Sequence, residues 1–340
     1  MTQPRSRNLF KTIPGLLVSA FFLWYTFRGI SFDEIRSLRL ANPAWVFGVL
    51  GFTLASYTLR CVRWTRMMRS TGARFPVCAR VLMTSLAANN ILPFRIGDIM
   101  RVFTYAGDLG ASPSVILSTV ILEKLLDIFV LVLLFVAFMG KNVNPHSRLT
   151  AEVLLGISSV GLLILLLGAR MLEPVIQRFF ARFHKDPGQT SKLHKIEHWL
   201  LLALDCIRQI GIAGSLLLLL QSCIIWACEG MIFVSGARLI DLAVDHIGPW
   251  QAVSVANLSY LIPSSPGAIG TFEWAVKTSL VSHSANEPHA ALYGLALHAW
   301  LLISVTGAGG IIFLLHRVRI HNRTPLLQEI ETLPRELPDA

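Results

Sequence analysis

"NNILPFRIGDIMR", residues 89–101, lies between two strongly apolar stretches yet carries a proline, a glycine, two arginines and an aspartate. One more straight apolar helix does not account for it. Pro93 removes an intrahelical hydrogen bond and Gly97 frees the backbone, so residues 78–107 read as two short helices joined by a bend. Inside a membrane such irregular backbone is tolerated only where protein or a water-filled cavity covers it. The stretch therefore predicts a broken hairpin that dips into the bilayer, returns, and turns its bend toward an interior.

The surrounding chain supports a membrane setting. Of 340 residues, 54% are hydrophobic and 15% charged, and the mean hydropathy of +0.59 makes a soluble single-core domain a poor description. Spanning a hydrocarbon core of about 30 Å takes about 20 helical residues. Apolar runs of suitable length lie near Leu9 to Ile30, Ala44 to Cys61, Ser114 to Met139, Ala151 to Met171, Ile212 to Leu239 and His289 to Leu315. The first follows Arg5, Arg7 and Lys11 with no small-residue cleavage site after it, so it reads as an uncleaved anchor. The five cysteines are scattered without a C-x-x-C and read as apolar filler.

The net charge of +10 excludes nucleic-acid binding by its distribution. Six arginines and no acid lie between Arg60 and Arg80, seven basic and four acidic residues between Arg170 and Arg208, and Arg317, Arg319 and Arg323 follow the last span. Such bias marks cytoplasmic segments and favours anionic lipid headgroups. Counting from a cytoplasmic N-terminus through six spans places these segments and the C-terminus inside, in a cytoplasmic or bacterial inner membrane. Two stretches remain, and parity gives each an even number of crossings. Besides the first hairpin there is residues 251–282, where "LIPSSPGAIGTFEW" supplies Pro263, Pro266, Gly267 and Gly270. The first hairpin enters from the cytoplasm and the second from outside, the arrangement in which opposed broken helices build a substrate site near the midplane. No clear internal sequence repeat accompanies them. The expected fold is an all-α polytopic integral membrane protein with about six spanning helices plus two broken or re-entrant hairpins, over residues 1–318, followed by a short polar tail at 319–340.

Charge inside such a bundle calls for an explanation, because a charged side chain at a helix centre costs about 2.5–3.5 kcal/mol even on the lenient scale. If the helix resumes after Pro93, then Arg95, Asp98 and Arg101 share one face. "ILEKLLDIF" sets Glu123 and Asp127 four apart on one helical face with Lys124 pointing elsewhere, and Glu273 follows the second glycine turn. Two readings stand. The ions cancel pairwise and fix the bundle; or Arg95 and Arg101 line a cavity that holds an anionic phosphate headgroup, guanidinium being suited to phosphate, while the acids tune it.

"LPFRIGDIMR", "ILEKLLD" and "IPSSPGAIGTFE", in this order, resemble the flippase-like, lysylphosphatidylglycerol synthase transmembrane domain family, over most of residues 10–318. Pro93, Arg95, Gly97, Asp98 and Arg101 match its first motif, Glu123 and Asp127 its acidic pair, and Pro266, Gly267, Gly270 and Glu273 its third. Asp98 stands where the first motif usually has glutamate, and Ala268 where the third has its second glycine. The resemblance implies a protein that moves lipids or lipid-linked headgroups between leaflets, or a scaffold for an enzyme of lipid or hopanoid synthesis. Large members add a soluble aminoacyltransferase domain. Here only "TPLLQEIETLPRELPDA" follows Arg323, so translocation without synthesis is the expectation: no enzyme activity, no cofactor, membrane lipids as ligands and a lipid-synthesis enzyme as the alternative partner.

Other features carry less. "HKIEH", residues 194–198, matches the H-x-x-E-H zinc pattern but has no third ligand in its loop, so no metal is expected. "EPVIQRFFARF", residues 173–183, is amphipathic and suits the interface. Glu229 either joins the cavity or pairs within the bundle, His298 reads as a satisfied interior histidine, and Trp24, Trp45, Trp64 and Trp250 fit interfacial belts.

Overall fold

The structure is a computed structural model describing residues 6–37, 39–139, 145–181 and 192–331. Twelve helices follow in order: α1 Ser6–Phe27, α2 Phe32–Ser37, α3 Trp45–Met67, α4 Phe75–Ile91, α5 Ile96–Phe103, α6 Ala106–Leu109, α7 Pro113–Ala137, α8 Pro145–Ala181, α9 Lys192–Leu239, α10 Gly248–Leu258, α11 Thr271–Val281 and α12 Glu287–Glu331. No strand occurs among the described residues. Among the described residues three helices are long and apolar enough to cross a membrane, Trp45–Met67, Arg208–Leu239 and Glu287–Arg319, and Pro14–Phe27 is a shorter apolar helix. With 25 residues, α7 reaches about 37 Å at 1.5 Å per residue, with Glu123, Lys124 and Asp127 within it. The helix α9 changes direction at Gly211 (φ 69°, ψ 175°), a conformation open to glycine alone.

Each of the two segments broken by proline and glycine forms a helix–bend–helix unit. Helix α4 ends at Ile91, the chain turns through Pro93–Arg95, and α5 packs back along α4. Helix α10 ends at Leu258, the chain turns through Pro266–Ala268, and α11 packs back along α10. The backbone also exposes a local repeat that the sequence reading lacked. Each bend spells P-x-x-I-G, at residues 93–97 and 266–270. In each the residue before proline is extended, Leu92 with ψ 142° and Ser265 with ψ 166°. Each proline is followed by two left-handed residues, Phe94 (φ 58°) and Arg95 (φ 52°) in one, Gly267 (φ 69°) and Ala268 (φ 57°) in the other. Each glycine then lets another backbone approach: a Cβ on Gly97 would strike the Ser85 carbonyl, and one on Gly270 the Ser19 carbonyl. The two bends touch, with the Asn90 carbonyl oxygen 3.4 Å from where a Gly267 Cβ would lie.

Helix α1 braces the second hairpin. Ser19 Oγ accepts from the Ser265 N–H at 2.8 Å, and the Thr26 carbonyl accepts from Lys277 Nζ at 2.9 Å. Gly15 and Gly270 keep α1 within backbone contact of the bend, the small-residue packing that takes over where lipid removes a hydrophobic drive between helices.

Two apolar cores result, one around each hairpin. The first gathers Trp64, Met67, Val81, Leu82, Ile116 and Leu126; the second gathers Trp226, Phe233, Val253, Phe272, Val276 and Tyr293. On α7, Leu126 belongs to the first and Val130 to the second, with Asp127 between them; on α9, Leu218 and Trp226 bracket Ser222 in the same way. A polar layer therefore separates the cores, and the bends meet at that level. Trp64, expected at an interface, is instead fully buried in the first core, its indole N–H donating to Thr119 Oγ1 at 3.2 Å.

Helix α8 runs on through the amphipathic stretch to Ala181, with Pro174 inside it; Arg182 and Phe183 lie outside the described residues. Helix α12 continues to Glu331, so residues 319–331 of the expected tail are helical.

Candidate functional site

The polar layer is built on Asp127. Arg63 of α3 donates to it with both guanidinium nitrogens, Nη1 to Oδ1 at 2.6 Å and Nη2 to Oδ2 at 3.2 Å, and Nη1 also reaches Ser222 Oγ at 2.7 Å. The Trp226 indole N–H donates to Oδ1 at 3.1 Å. One turn earlier, Arg60 lies 3.8 Å from Asp127 and 3.4 Å from Glu229, with its guanidinium 4.8 Å over the Trp226 ring. Glu229 in turn accepts from Ser56 Oγ at 2.7 Å. Three helices, α3, α7 and α9, are thereby tied by charge-assisted hydrogen bonds at one level. Arg60 and Arg63, read from sequence as part of a cytoplasmic basic loop, are inside the bundle. Their carboxylate partners lie 64 and 169 residues away, and no local spacing announces them.

The first hairpin carries a second cluster. Arg101 is fully buried; Nη1 donates to Glu123 Oε2 at 3.0 Å, Nη2 stands 3.6 Å from Asp98, and the guanidinium lies 4.9 Å over Trp64. Asp98 and Asn89 exchange hydrogen bonds, both at 3.1 Å, which clamps α5 to α4. Lys124 does not point elsewhere as expected: its Nζ is 3.8 Å from both Asp98 and Glu123. Glu123 and Asp127, one helical turn apart, thus serve different partners.

Arg95 departs from the expected shared face. The helix resumes at Ile96, one residue later, and left-handed Arg95 is its N-cap. Asp98 and Arg101 pair with each other, and Arg95 is not part of that pair. Arg95 is exposed and makes no hydrogen bond or ion pair with a described residue. It lines a cavity of about 960 Å³ between the bends, α1, α3, α7 and α9. Asp127, Pro93, Pro263, Pro266 and Gly267 line it too, together with Glu229, which both lines it and pairs within the bundle, and with Arg60, Lys124, Tyr57 and Tyr260, which sequence reasoning did not place there; Arg101, Asp98, Glu123 and Glu273 do not line it. The rim carries exposed apolar residues, Leu16, Phe94, Leu261 and Ile262 among them. The layer and the first-hairpin cluster set Arg60, Arg63, Arg95, Arg101 and Lys124 against Asp98, Glu123, Asp127 and Glu229. One positive charge is left over, and Arg95 is the cation without a carboxylate.

Glu273 has a local role. Its Oε2 accepts the Gly270 N–H at 2.6 Å, capping α11, and Oε1 faces His298 Nδ1 at 2.8 Å. His298 is the satisfied interior histidine its setting implied, stacked 4.1 Å from the Phe272 ring. Outside the layer, Asp245 in the loop before α10 faces His283 Nδ1 at 2.8 Å and accepts from the Ile247 and Gly248 N–H groups. Burial pushes the Asp245 carboxyl up, but these hydrogen bonds outweigh it and hold the group below the usual carboxylate range. Among the described residues no His, Cys, Asp and Glu cluster suits a metal ion, and the histidine side chains of "HKIEH" lie outside them.

Residues 13–309 match the profile of the lysylphosphatidylglycerol synthase transmembrane region. The chain belongs to that family. A protein of Haloferax volcanii named Glycosyltransferase AglD is 25% identical to this member of the lysylphosphatidylglycerol synthase transmembrane family over 349 aligned positions, covering 91% of the chain and 55% of that protein. The chain thus spans about half the length of that relative. No solved structure matches it. The family and the apolar helices make this a membrane protein.

Proposed function

We propose that the protein moves a lipid bearing an anionic phosphate headgroup between membrane leaflets. One observation carries this: an unpaired arginine, Arg95, on a strained bend lining a roomy cavity whose rim is apolar. An arginine left without a carboxylate in such a place is matched by a ligand anion, and phosphate suits its planar fork. The headgroup sits between the bends while the acyl chains stay at the apolar rim. Arg101, first read as a second phosphate contact, is sealed by Glu123, Asp98 and Trp64; it positions the hairpin instead. In this reading six helices span, the hairpins enter from opposite faces, both termini lie on the cytoplasmic side, and rocking of the two cores about the polar layer exposes the site alternately. The chain carries out no chemistry of its own.

A fluorescent phospholipid in proteoliposomes tests this, with bleaching by an impermeant reductant as the readout. Wild type should expose inner-leaflet lipid. Arg95→Ala should slow it roughly ten- to a hundredfold, the worth of a charged hydrogen bond of about 1.5–3 kcal/mol, with unchanged thermal unfolding. Wild-type rates in Arg95→Ala would remove the site. The pairing of the remaining charges favours a second reading, a scaffold for a lipid-pathway enzyme; wild type that moves no lipid yet co-purifies with such an enzyme would establish it.

A further inference from the structure

We infer that Glu273, His298 and Tyr260 form a proton relay ending in the cavity, and that a proton taken up by the buried pair frees the Tyr260 hydroxyl to donate to the headgroup phosphate; this rests on the reading that a lipid phosphate meets Arg95. His298 is 1% exposed and Glu273 2%. Neither lines the cavity, whereas Tyr260 does. The contacts between them are continuous: Glu273 Oε1 lies 2.8 Å from His298 Nδ1, and the Tyr260 hydroxyl 3.5 Å from His298 Nε2. Because Glu273 Oε2 accepts the Gly270 N–H at 2.6 Å, the carboxylate accepts with both oxygens. Nδ1 therefore carries a hydrogen, and in the neutral ring Nε2 is the acceptor that the Tyr260 O–H serves. In that state the phenol offers the cavity oxygen lone pairs alone, and a phosphate finds no donor there.

One added proton reverses the polarity of that contact. Tyr260 passes its own proton to Nε2 and takes another from hydronium in the cavity water, so an N–H and an O–H bond form as two O–H bonds break. Nε2 then donates to the phenol oxygen, and the phenol hydrogen is free for an anion. The long contact should shorten as it becomes charge-assisted. The added charge is met inside the bundle by Glu273, with the imidazole stacked 4.1 Å from the Phe272 ring. Besides Glu273, the charged groups acting on the phenol are Glu229 of α9 and Arg95 of the first bend, with Tyr57 of α3 close by. Glu229 is engaged by Ser56 and Arg60, and on α11 Lys277 turns to the Thr26 carbonyl and Glu287. An anion at Arg95 thus lies beside the phenol that the relay controls. Proton and headgroup favour each other's binding by linkage, which lets a pH difference across the membrane bias the direction of movement.

Isothermal calorimetry on the full chain in detergent tests this, with short-chain phosphatidylglycerol as the probe between about pH 5.5 and about pH 8, where the diester keeps its single charge and imidazoles titrate. Wild-type binding should tighten roughly three- to tenfold as the pH falls, and paired buffers of different ionisation heat should register proton uptake with the lipid. Tyr260→Phe removes one oxygen and should leave binding weak and independent of pH, with unchanged thermal unfolding; His298→Gln should abolish the slope as well. Arg95→Ala should weaken binding at every pH while the slope stays. Where the slope holds, displacement by dimethyl phosphate upholds the relay for any diester, and failure to displace upholds it for the lipid. Wild-type binding without pH dependence or proton uptake, yet weakened by Arg95→Ala, overturns the relay alone, as does a slope that survives in Tyr260→Phe. Affinities that ignore Arg95→Ala overturn the headgroup site as well.

Discussion

Arg63 and Asp127 are 64 residues apart in the chain and share two hydrogen bonds in a setting where Arg63 is 1% exposed. Removing Arg63 strips Asp127 of both guanidinium hydrogen bonds and leaves it the Trp226 indole and Arg60 at 3.8 Å. Arg63→Ala should therefore cost about 3–5 kcal/mol of stability, whereas Arg63→Met with Asp127→Leu should recover most of the loss; thermal unfolding in detergent measures both. Arg95 should behave differently, since no described residue depends on it: its loss should be felt in lipid handling and not in folding. These roles were only partly legible in the sequence. The arginines, Asp98, Glu123 and Asp127 are conspicuous within apolar surroundings, so that charge is concentrated there could be read directly. Which charges cancel could not, because every partner of Asp127 lies on another helix. Arg95 lines the cavity, but its separation from Arg101 depends on two left-handed residues that no spacing rule foresees.

At the scale of elements, the two bends hold the most sharply defined backbone. Ala268 occupies the left-handed region at φ 57° and is buried, a conformation costing an L-residue about 1–2 kcal/mol. Ala268→Gly should relieve it and stabilise the protein by about 0.5–1 kcal/mol after the entropy of the freer glycine is subtracted. Gly97 is the opposite case. A methyl there meets the Ser85 carbonyl and the Asn89 side chain, so Gly97→Ala should destabilise by about 1–3 kcal/mol or more as α5 is forced off α4. A pair of unfolding curves distinguishes the two glycine-motif positions. The hairpins themselves were legible, since proline and glycine within an apolar run leave few alternatives. The matching of their bends was not: P-x-x-I-G is five residues with two wildcards, and it acquires meaning only when the same dihedral sequence appears twice.

For the whole molecule, two cores joined by a polar layer suit a protein whose halves tilt about a midplane site, with α3, α7 and α9 crossing the layer and carrying its ion pairs. The proposed topology puts the turn after α3 and the loop before α10 on opposite faces. Cysteines at exposed Ser70 and Ala243 in a background lacking the natural ones should react with an impermeant thiol reagent from opposite sides of sealed vesicles; reaction from one side contradicts the span count. Long apolar segments and charge bias made the all-helical membrane class legible from composition, while a third of the basic cluster at 60–80 proved to be internal because arginines that serve a buried carboxylate look the same in sequence as arginines that face lipid headgroups. The most direct test of the account is a structure determined in lipid nanodiscs. It should show a phosphate within roughly 3 Å of the Arg95 guanidinium, between the two bends; Arg95 turned onto a carboxylate of its own chain, with no headgroup in the cavity, would contradict it.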